Sequence, residues 1–143
     1  MARTYYTDTC IWLNLFKKEI GSDKEHPHWR SAKEFIEKIE ENGEKIFVST
    51  IVLKELYFVA KDKFNTIKEF LKDSNCVEII KTNSQDYELA RTWEELDHHL
   101  SFYDYLHVAI AKRMDADLIT RDGDLLSFAK NHINAFKPED LVS

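Results

Sequence analysis

Four acidic residues stand where carboxylates from distant segments of the sequence can act together: Asp8, Glu55, Asp104 and Asp122. Carboxylates that crowd one site repel one another unless a cation neutralises them. Hard oxygen ligands of this kind select Mg²⁺ or Mn²⁺, and such ions commonly activate water and clamp a phosphoryl group. The four acids therefore point to phosphate or phosphodiester chemistry, provided that the fold brings them together.

The elements that must position these acids alternate between strands and helices. Short apolar, Tyr-rich or Thr-rich segments predict strands over residues 4–7, 45–49, 76–80, 118–120 and 133–136. Apolar residues at helical spacing predict helices over residues 10–17, 29–41, 51–61, 65–73, 85–98, 102–114 and 124–131, with a polar loop over 19–28. Thr50, Ser84 and Ser101 are the predicted helix caps, and Gly43 is a predicted helix stop.

This alternation predicts an α/β fold with three layers, α/β/α, around a central, mostly parallel five-stranded sheet. Sites in such sheets form at the carboxyl ends of the strands. Asp8 and Asp122 follow the first and fourth predicted strands, so they belong to that edge. No linker or repeat interrupts the 143 residues, which predicts a single domain over residues 1–143.

Asp8 and Glu55 each have a structural interpretation beside the functional one. Asp8 is a preferred type of helix N-cap, although Thr9 can take that role and leave Asp8 free. The helical neighbours of Glu55 are all apolar: Ile51, Val52, Phe58 and Val59. They predict a buried face, on which a carboxylate must be paired, protonated or metal-bound. A function is therefore favoured for Glu55 over a place on a narrow exposed edge.

The remaining acids also compete with capping roles. Ser101 and Asp104 have the spacing of a capping box, which leaves the structural and functional interpretations of Asp104 equally open. Asp122 lies closest to the fourth strand and is the better site candidate, whereas Asp124 is the predicted N-cap of the next helix. His107 shares a helix face with Asp104. It is predicted to be a packed, hydrogen-bonded core histidine rather than a contact of the site.

The charge is distributed unevenly. The net charge is −6 and the sequence pI is about 5.5. Residues 1–76 balance 13 Lys and Arg with 13 Asp and Glu, whereas residues 77–143 carry 7 against 13. This argues against a protein that holds nucleic acid by broad phosphate neutralisation. Two cysteines and the lack of a long apolar run predict a cytoplasmic protein.

Four segments together resemble the acidic motifs of PIN domains. They are residues 5–9 (YYTDT), 50–56 (TIVLKEL), 102–111 (FYDYLHVAIA) and 116–125 (ADLITRDGDL). Their order and spacing match that family over essentially the whole chain, and the chain is most similar to small stand-alone VapC-type toxins.

The resemblance implies a metal-dependent ribonuclease that hydrolyses RNA phosphodiester bonds to a 5′-phosphate and a 3′-hydroxyl. Asp8, Glu55, Asp104 and Asp122 would be the catalytic residues and the ligands of Mg²⁺ or Mn²⁺. Thr120 and Asp124 would support them. Toxins of this type form homodimers and are blocked by an antitoxin, a basic residue of which often enters the acidic pocket.

Two other classes of protein stay open at this point. A receiver-type signalling domain also has five parallel strands, Mg²⁺-binding acids, a Thr and a late Lys-Pro, which Thr120 and Lys137-Pro138 echo. The segments 45–49 and 76–80, however, do not end in an Asp that could accept a phosphoryl group. The second class is a PIN-fold module that works chiefly by binding a partner.

Overall fold

The computed structural model describes residues 3–17 and 27–142. Its strands are β1 (Thr4–Thr7), β2 (Lys45–Ser49), β3 (Val77–Ile80), β4 (Asp117–Ile119) and β5 (Ala135–Phe136). Its α-helices are α1 (Thr9–Phe16), α2 (His28–Glu41), α3 (Thr50–Ala60), α4 (Phe64–Asp73), α5 (Ser84–Leu96), α6 (Phe102–Arg113) and α7 (Gly123–Ala129). Short 3₁₀ helices cover Lys61–Lys63 and Pro138–Asp140.

The strands form one parallel sheet in the order β3-β2-β1-β4-β5. Helices α1 to α4 pack on one another, and α5 packs on α6 as a separate group. Because the order of the strands reverses direction after β3, right-handed crossovers place these two groups on opposite faces of the sheet. The predicted α/β/α architecture with five strands is therefore confirmed.

The reversal creates a topological switch point between β1 and β4, which are neighbours in the sheet although more than 100 residues separate them. Tyr6 on β1 is aligned with Leu118 on β4, and both side chains are fully buried. Crevices at the carboxyl ends of strands that flank a switch point are the usual ligand sites of open parallel sheets. The residues that follow β1 and β4, Asp8 and Thr120, therefore lie at that position.

Several predicted boundaries differ from the structure because a neighbouring side chain makes the cap. Ser49, not Thr50, caps α3, since its hydroxyl accepts a bond from the Val52 amide at 3.3 Å. Asn83, not Ser84, caps α5 through a complete capping box with Asp86. Helix α5 ends at Leu96 rather than at residue 98, and β5 is only two residues long. Most of the loop predicted over residues 19–28 lies outside the described residues, and residue 28 already begins α2.

Other predictions of local structure are confirmed. Ser101 caps α6 as expected. Gly43 lies just after α2 with a φ of 66°, a left-handed conformation that glycine adopts without steric cost. Helix α6 is buried continuously from Tyr105 to Ala111, which encloses it within the protein and fixes the position of His107. None of the helices among the described residues is long and apolar enough to cross a membrane.

Candidate active site

Asp8 lies at the start of α1, but its carboxylate does not cap that helix. The residue occupies the N-cap position with an extended backbone and makes no side-chain capping bond. Oδ2 accepts a hydrogen bond from the Thr120 hydroxyl at 2.6 Å, and Oδ1 accepts one from the Cys10 thiol at 2.8 Å. The Asp8 carboxylate is therefore free of capping, but Thr9 does not take over as the cap, because Thr9 begins α1 and its hydroxyl donates to Glu55. The bond from Thr120 connects the ends of β1 and β4 across the switch point.

The surroundings of Asp8 are unusual for a carboxylate, because only 6% of the residue is exposed and both of its partners are neutral. Burial raises the pKa of Asp8. The bonds from Cys10 and Thr120 and the charge of His107 act in the opposite direction, and the negative charge of Glu55 raises the pKa further. A buried carboxylate without a direct cationic partner is the kind of group that a metal ion stabilises.

Glu55 is half-buried, with 31% of its side chain exposed. The prediction of a fully buried face around it was wrong, because Phe58 and Val59 are exposed. Of the four apolar helical neighbours of Glu55, only Ile51 and Val52 are buried.

Two hydrogen bonds fix the Glu55 carboxylate, and both end on Oε1. The Thr9 hydroxyl donates one at 2.8 Å, and Nε2 of His107 lies 2.8 Å from the same oxygen. Burial raises the pKa of Glu55, but the bond and charge of His107 and the bond from Thr9 outweigh it, so the pKa is lowered. Glu55 is therefore held as a carboxylate, with Oε2 left to accept a further ligand.

His107 is buried and hydrogen-bonded, as predicted, and it also belongs to the site. Its Nδ1 lies 2.7 Å from the Tyr6 hydroxyl, which lies 2.7 Å from the Ser49 hydroxyl. Sequence reasoning missed Tyr6, because an apolar strand position does not reveal which residue its hydroxyl meets. The row Ser49, Tyr6, His107, Glu55 joins β2, β1, α6 and α3, so it orients the Glu55 carboxylate from the core.

Asp104 makes the complete capping box that its spacing with Ser101 predicted. Its Oδ2 accepts a bond from the Ser101 amide at 3.4 Å, and the Asp104 amide donates to the Ser101 hydroxyl at 3.2 Å. Burial raises the pKa of Asp104, the bonds from Ser101 and the charge of His107 oppose this, and the charge of Asp122 raises it further. Asp104 therefore caps α6 and also interacts electrostatically with Asp122, so its capping role does not exclude a role in the site.

Asp122, not Asp124, is the N-cap of α7. Its Oδ1 accepts bonds from the amides of Asp124 at 3.0 Å and Leu125 at 3.3 Å. The Asp122 amide donates to the Thr120 hydroxyl at 3.1 Å, so Thr120 connects Asp122 to Asp8. Asp124 is exposed and lies 3.9 Å from His99. Thr120 is thus the supporting residue that contacts two of the proposed acids.

The negative charge of Glu55 raises the pKa of Asp8, and that of Asp122 raises the pKa of Asp104. Within residues 3–17 and 27–142, no three His, Cys, Asp or Glu side chains stand close enough together to hold a metal ion as they are placed. The chemical type of the four acidic side chains nevertheless fits a hard divalent cation, because all four are carboxylates. The protein bonds to Glu55 and Asp122 each end on one oxygen, which leaves the second oxygen for a ligand.

The chain matches the model of a known protein family over most of its length. The family model of the PIN domain matches residues 5–131. The chain belongs to the PIN domain family. Among curated proteins none matches this sequence.

Solved structures similar to this PIN domain confirm the fold. VapBC2 from Rickettsia felis, bound to a promoter DNA fragment, aligns with a TM-score of 0.69 and 22% identity over 94% of this chain and 98% of that one. A toxin–antitoxin complex from Klebsiella pneumoniae gives 0.66 and 19% over 94% and 97%. FitAcB from Neisseria gonorrhoeae gives 0.63 and 18% over 96% and 99%. At these identities the likeness establishes the architecture of the PIN domain.

Replacing His107 by Ala is expected to lower the free energy of unfolding of the PIN domain by about 2–3 kcal/mol, because it leaves the Tyr6 hydroxyl without one of its partners and opens a space in the core. Equilibrium unfolding in urea measures the change. His99→Ala is the matched control, since His99 is exposed and its loss should change the stability by less than about 0.5 kcal/mol. A His107→Ala protein as stable as the control would contradict the buried row described above.

Proposed function

We propose that this PIN domain is a divalent-metal-dependent endoribonuclease and the toxin of a type II toxin–antitoxin pair. The observation that carries the proposal is the Asp8 carboxylate, buried at the switch point between β1 and β4 and coupled to the charge of Glu55. This carboxylate caps no helix and has no direct cationic partner, so it is suited to bind the metal ion of a nuclease. We further propose a cytoplasmic, homodimeric protein whose single domain spans residues 1–143.

In this proposal Asp8, Glu55, Asp104 and Asp122 hold Mg²⁺ or Mn²⁺, with Thr120 and Asp124 in support. The bound ion would lower the pKa of a water molecule and neutralise charge on the scissile phosphate. Thr120 holds Oδ2 of Asp8, and His107 and Thr9 hold Oε1 of Glu55. Hydrolysis adds the water oxygen to phosphorus and releases the 3′-oxygen, which takes up a proton and becomes a hydroxyl.

The strand order argues against the receiver-type alternative. Receiver-like sheets have the order 2-1-3-4-5. This sheet has the order β3-β2-β1-β4-β5, and β2 and β3 end at Ser49 and Ile80 rather than at an Asp. A PIN-fold binding module without nuclease activity shares the fold and differs only in the chemistry that an assay reveals.

The proposal of an antitoxin partner follows from the similar structures, which are a VapBC2 complex, a toxin–antitoxin complex and FitAcB. The partly exposed carboxylates of Glu55 and Asp104 and the exposed one of Asp122 would suit a basic residue of such a partner. Expression of this chain alone should arrest growth, and co-expression of a small neighbouring reading frame should restore it. Normal growth on expression of an active, soluble nuclease would contradict the toxin assignment.

We expect the purified protein to cleave a labelled, unstructured RNA in Mn²⁺ or Mg²⁺, with 5′-phosphate and 3′-hydroxyl ends on the products, because the carboxylates need a cation to approach a phosphate. Removal of the ion with EDTA should abolish cleavage, and Mn²⁺ in excess should restore it. Cleavage that continues in EDTA would refute metal dependence. RNA that stays intact in both ions would favour the binding module, and labelling by acetyl phosphate would favour the receiver.

A further inference from the structure

Three aromatic rings, two of them exposed, and two exposed cations lie side by side on three helices of the protein. The set comprises Lys54 on α3, Tyr87 and Arg91 on α5, and Phe102 and Tyr103 on α6, and we call it the aromatic–basic strip. Tyr87 and Tyr103 are each 40% exposed, and Lys54 and Arg91 are exposed. Lys54 immediately precedes Glu55 on α3 and Tyr103 immediately precedes Asp104 on α6, so this end of the strip lies on the same helical turns as two of the acids.

At this end, Lys54 and Tyr103 connect α3 with α6. The Lys54 ammonium lies 3.5 Å from the Tyr103 hydroxyl and 5.9 Å from the centre of its ring. The ammonium is much closer to the hydroxyl than to the ring centre, so it lies at the edge of the ring and leaves the ring faces uncovered. The pair therefore offers a flat apolar surface and a cation within the reach of one nucleotide.

The other end of the strip repeats this combination. The Arg91 guanidinium lies 5.0 Å from the centre of the Phe102 ring. The Tyr87 ring is nearly parallel to the Phe102 ring, with 6.1 Å between their centres, and Tyr103 follows at 6.2 Å from Phe102. Each end of the strip thus has its own aromatic group and its own cation.

No acidic side chain in the described part of the chain neutralises the two cations of the strip. Among the described residues, neither Lys54 nor Arg91 forms an ion pair with an acidic side chain. Arg91 lies in the half of the chain that carries the entire net charge of −6, so this exposed cation stands out in an acidic region. A ligand that combines phosphates with planar rings complements such a surface.

We propose that the aromatic–basic strip binds the substrate as single-stranded RNA, with one base on Tyr103, its phosphate on Lys54, and a neighbouring nucleotide on the rings and cation of Tyr87, Phe102 and Arg91. That the strand is RNA rests on the nuclease function proposed above. Stacking requires bases with free faces, which a duplex does not present. The strip therefore leads an unpaired strand towards Glu55 and Asp104.

Binding in the absence of metal separates this proposal from catalysis. Fluorescence anisotropy with a labelled, unstructured 12-nucleotide RNA in EDTA, at low salt, measures the dissociation constant without cleavage. Tyr103→Ala should weaken binding about 5- to 100-fold, since stacking on one aromatic side chain contributes on that order. Tyr103→Phe should retain binding, because it keeps the ring. Lys54→Gln should lower the slope of the logarithm of affinity against the logarithm of salt concentration by about 0.7, the loss of one phosphate contact to a single strand.

Tyr57→Ala is the matched control, because Tyr57 is an exposed tyrosine on α3 that packs on Phe58 and Phe64 instead of the strip. Its affinity should equal that of the wild type. Wild-type affinity in Tyr103→Ala, no measurable binding by the wild type, or equal binding of an RNA duplex would overturn the proposal. If the strip binds RNA and the wild type fails to cleave it in Mn²⁺ or Mg²⁺, the nuclease function fails and the strip stands.

Discussion

Replacing Asp104 by Asn is expected to lower metal-dependent RNA cleavage by about 100-fold or more while the fold persists. Substitutions of residues that only support a metal ligand already cost about 10–100-fold, and this change removes the charge of a proposed ligand. The Asn side-chain oxygen can still accept the bond from the Ser101 amide, which lies 3.4 Å away in the wild type. The capping box is therefore kept, and initial rates in Mn²⁺ report the loss of charge.

Asp140→Asn is the control for this substitution. Asp140 holds the equivalent capping position in the 3₁₀ helix Pro138–Asp140, where it accepts a bond from the Lys137 amide at 3.1 Å. Its replacement should leave the cleavage rate near that of the wild type. Circular dichroism and urea unfolding verify that both variants are folded. A folded Asp104→Asn protein that cleaves RNA at the wild-type rate would remove Asp104 from the site.

The architecture follows from patterns that are local in the sequence. Predicted strands of three to five residues alternate with helices whose apolar residues recur at helical spacing. Such an alternation predicts a parallel sheet that helices cover on both faces. Boundaries were less accurate where two adjacent residues are both good caps. Ser49 and Thr50 are chemically alike, and only the backbone of the folded chain decides that the Ser49 hydroxyl meets the Val52 amide.

The site was predictable as a set of acids but not as a set of contacts. The ends of the strands identified Asp8 and Asp122, whereas the partner of Glu55 depends on how α6 packs against α3 across 52 residues of sequence. Phe58 and Val59 are exposed although their spacing from Glu55 suggested a buried face. The apolar periodicity of a helix shows which residues share a face, but it does not show how much of that face the neighbouring elements cover.

The acidic balance of the chain acquires a different meaning with the structure. Asp104 and Asp122 belong to the half that carries the net charge of −6, and the charge of Asp122 raises the pKa of Asp104. Lys54 and Arg91 provide local positive charge for a nucleic acid, although the overall composition of the chain is acidic. Weak, short-range contacts to a single strand are compatible with a low pI, whereas broad phosphate neutralisation is not.

The second large effect is expected for Asp8→Asn. This substitution should make the metal-free protein more stable and remove the stabilisation that a bound metal ion provides. Burial raises the pKa of Asp8, so its favourable contribution is complete below the unfolded value of 3.8 and is lost as the pH rises through the higher folded pKa. At neutral pH the metal-free wild type carries the cost of a buried charge. The neutral amide removes that cost, and the Tm without metal should rise by about 2–4 °C.

Divalent metal should reverse this order. A ligand that binds only the folded state at about 100 times its dissociation constant stabilises a protein by about 2.7 kcal/mol. Mn²⁺ should therefore raise the Tm of the wild type by several degrees and leave that of Asp8→Asn almost unchanged, while RNA cleavage by the variant is lost. Thermal unfolding at neutral pH, with EDTA and with Mn²⁺, measures both effects. At pH values near 4 the two metal-free proteins should approach each other in stability.

Asp86→Asn distinguishes a metal site from the general effect of neutralising a buried acid. Asp86 is as buried as Asp8, but Nε of Arg113 donates to it at 2.9 Å, and it completes the capping box of α5. Its neutralisation leaves the Arg113 guanidinium without its partner, so the variant should be less stable than the wild type and keep the full response to Mn²⁺. An Asp8→Asn protein that is destabilised in EDTA and still stabilised by Mn²⁺ would mean that the Asp8 carboxylate is a structural acceptor for Thr120 and Cys10, and that the metal binds elsewhere.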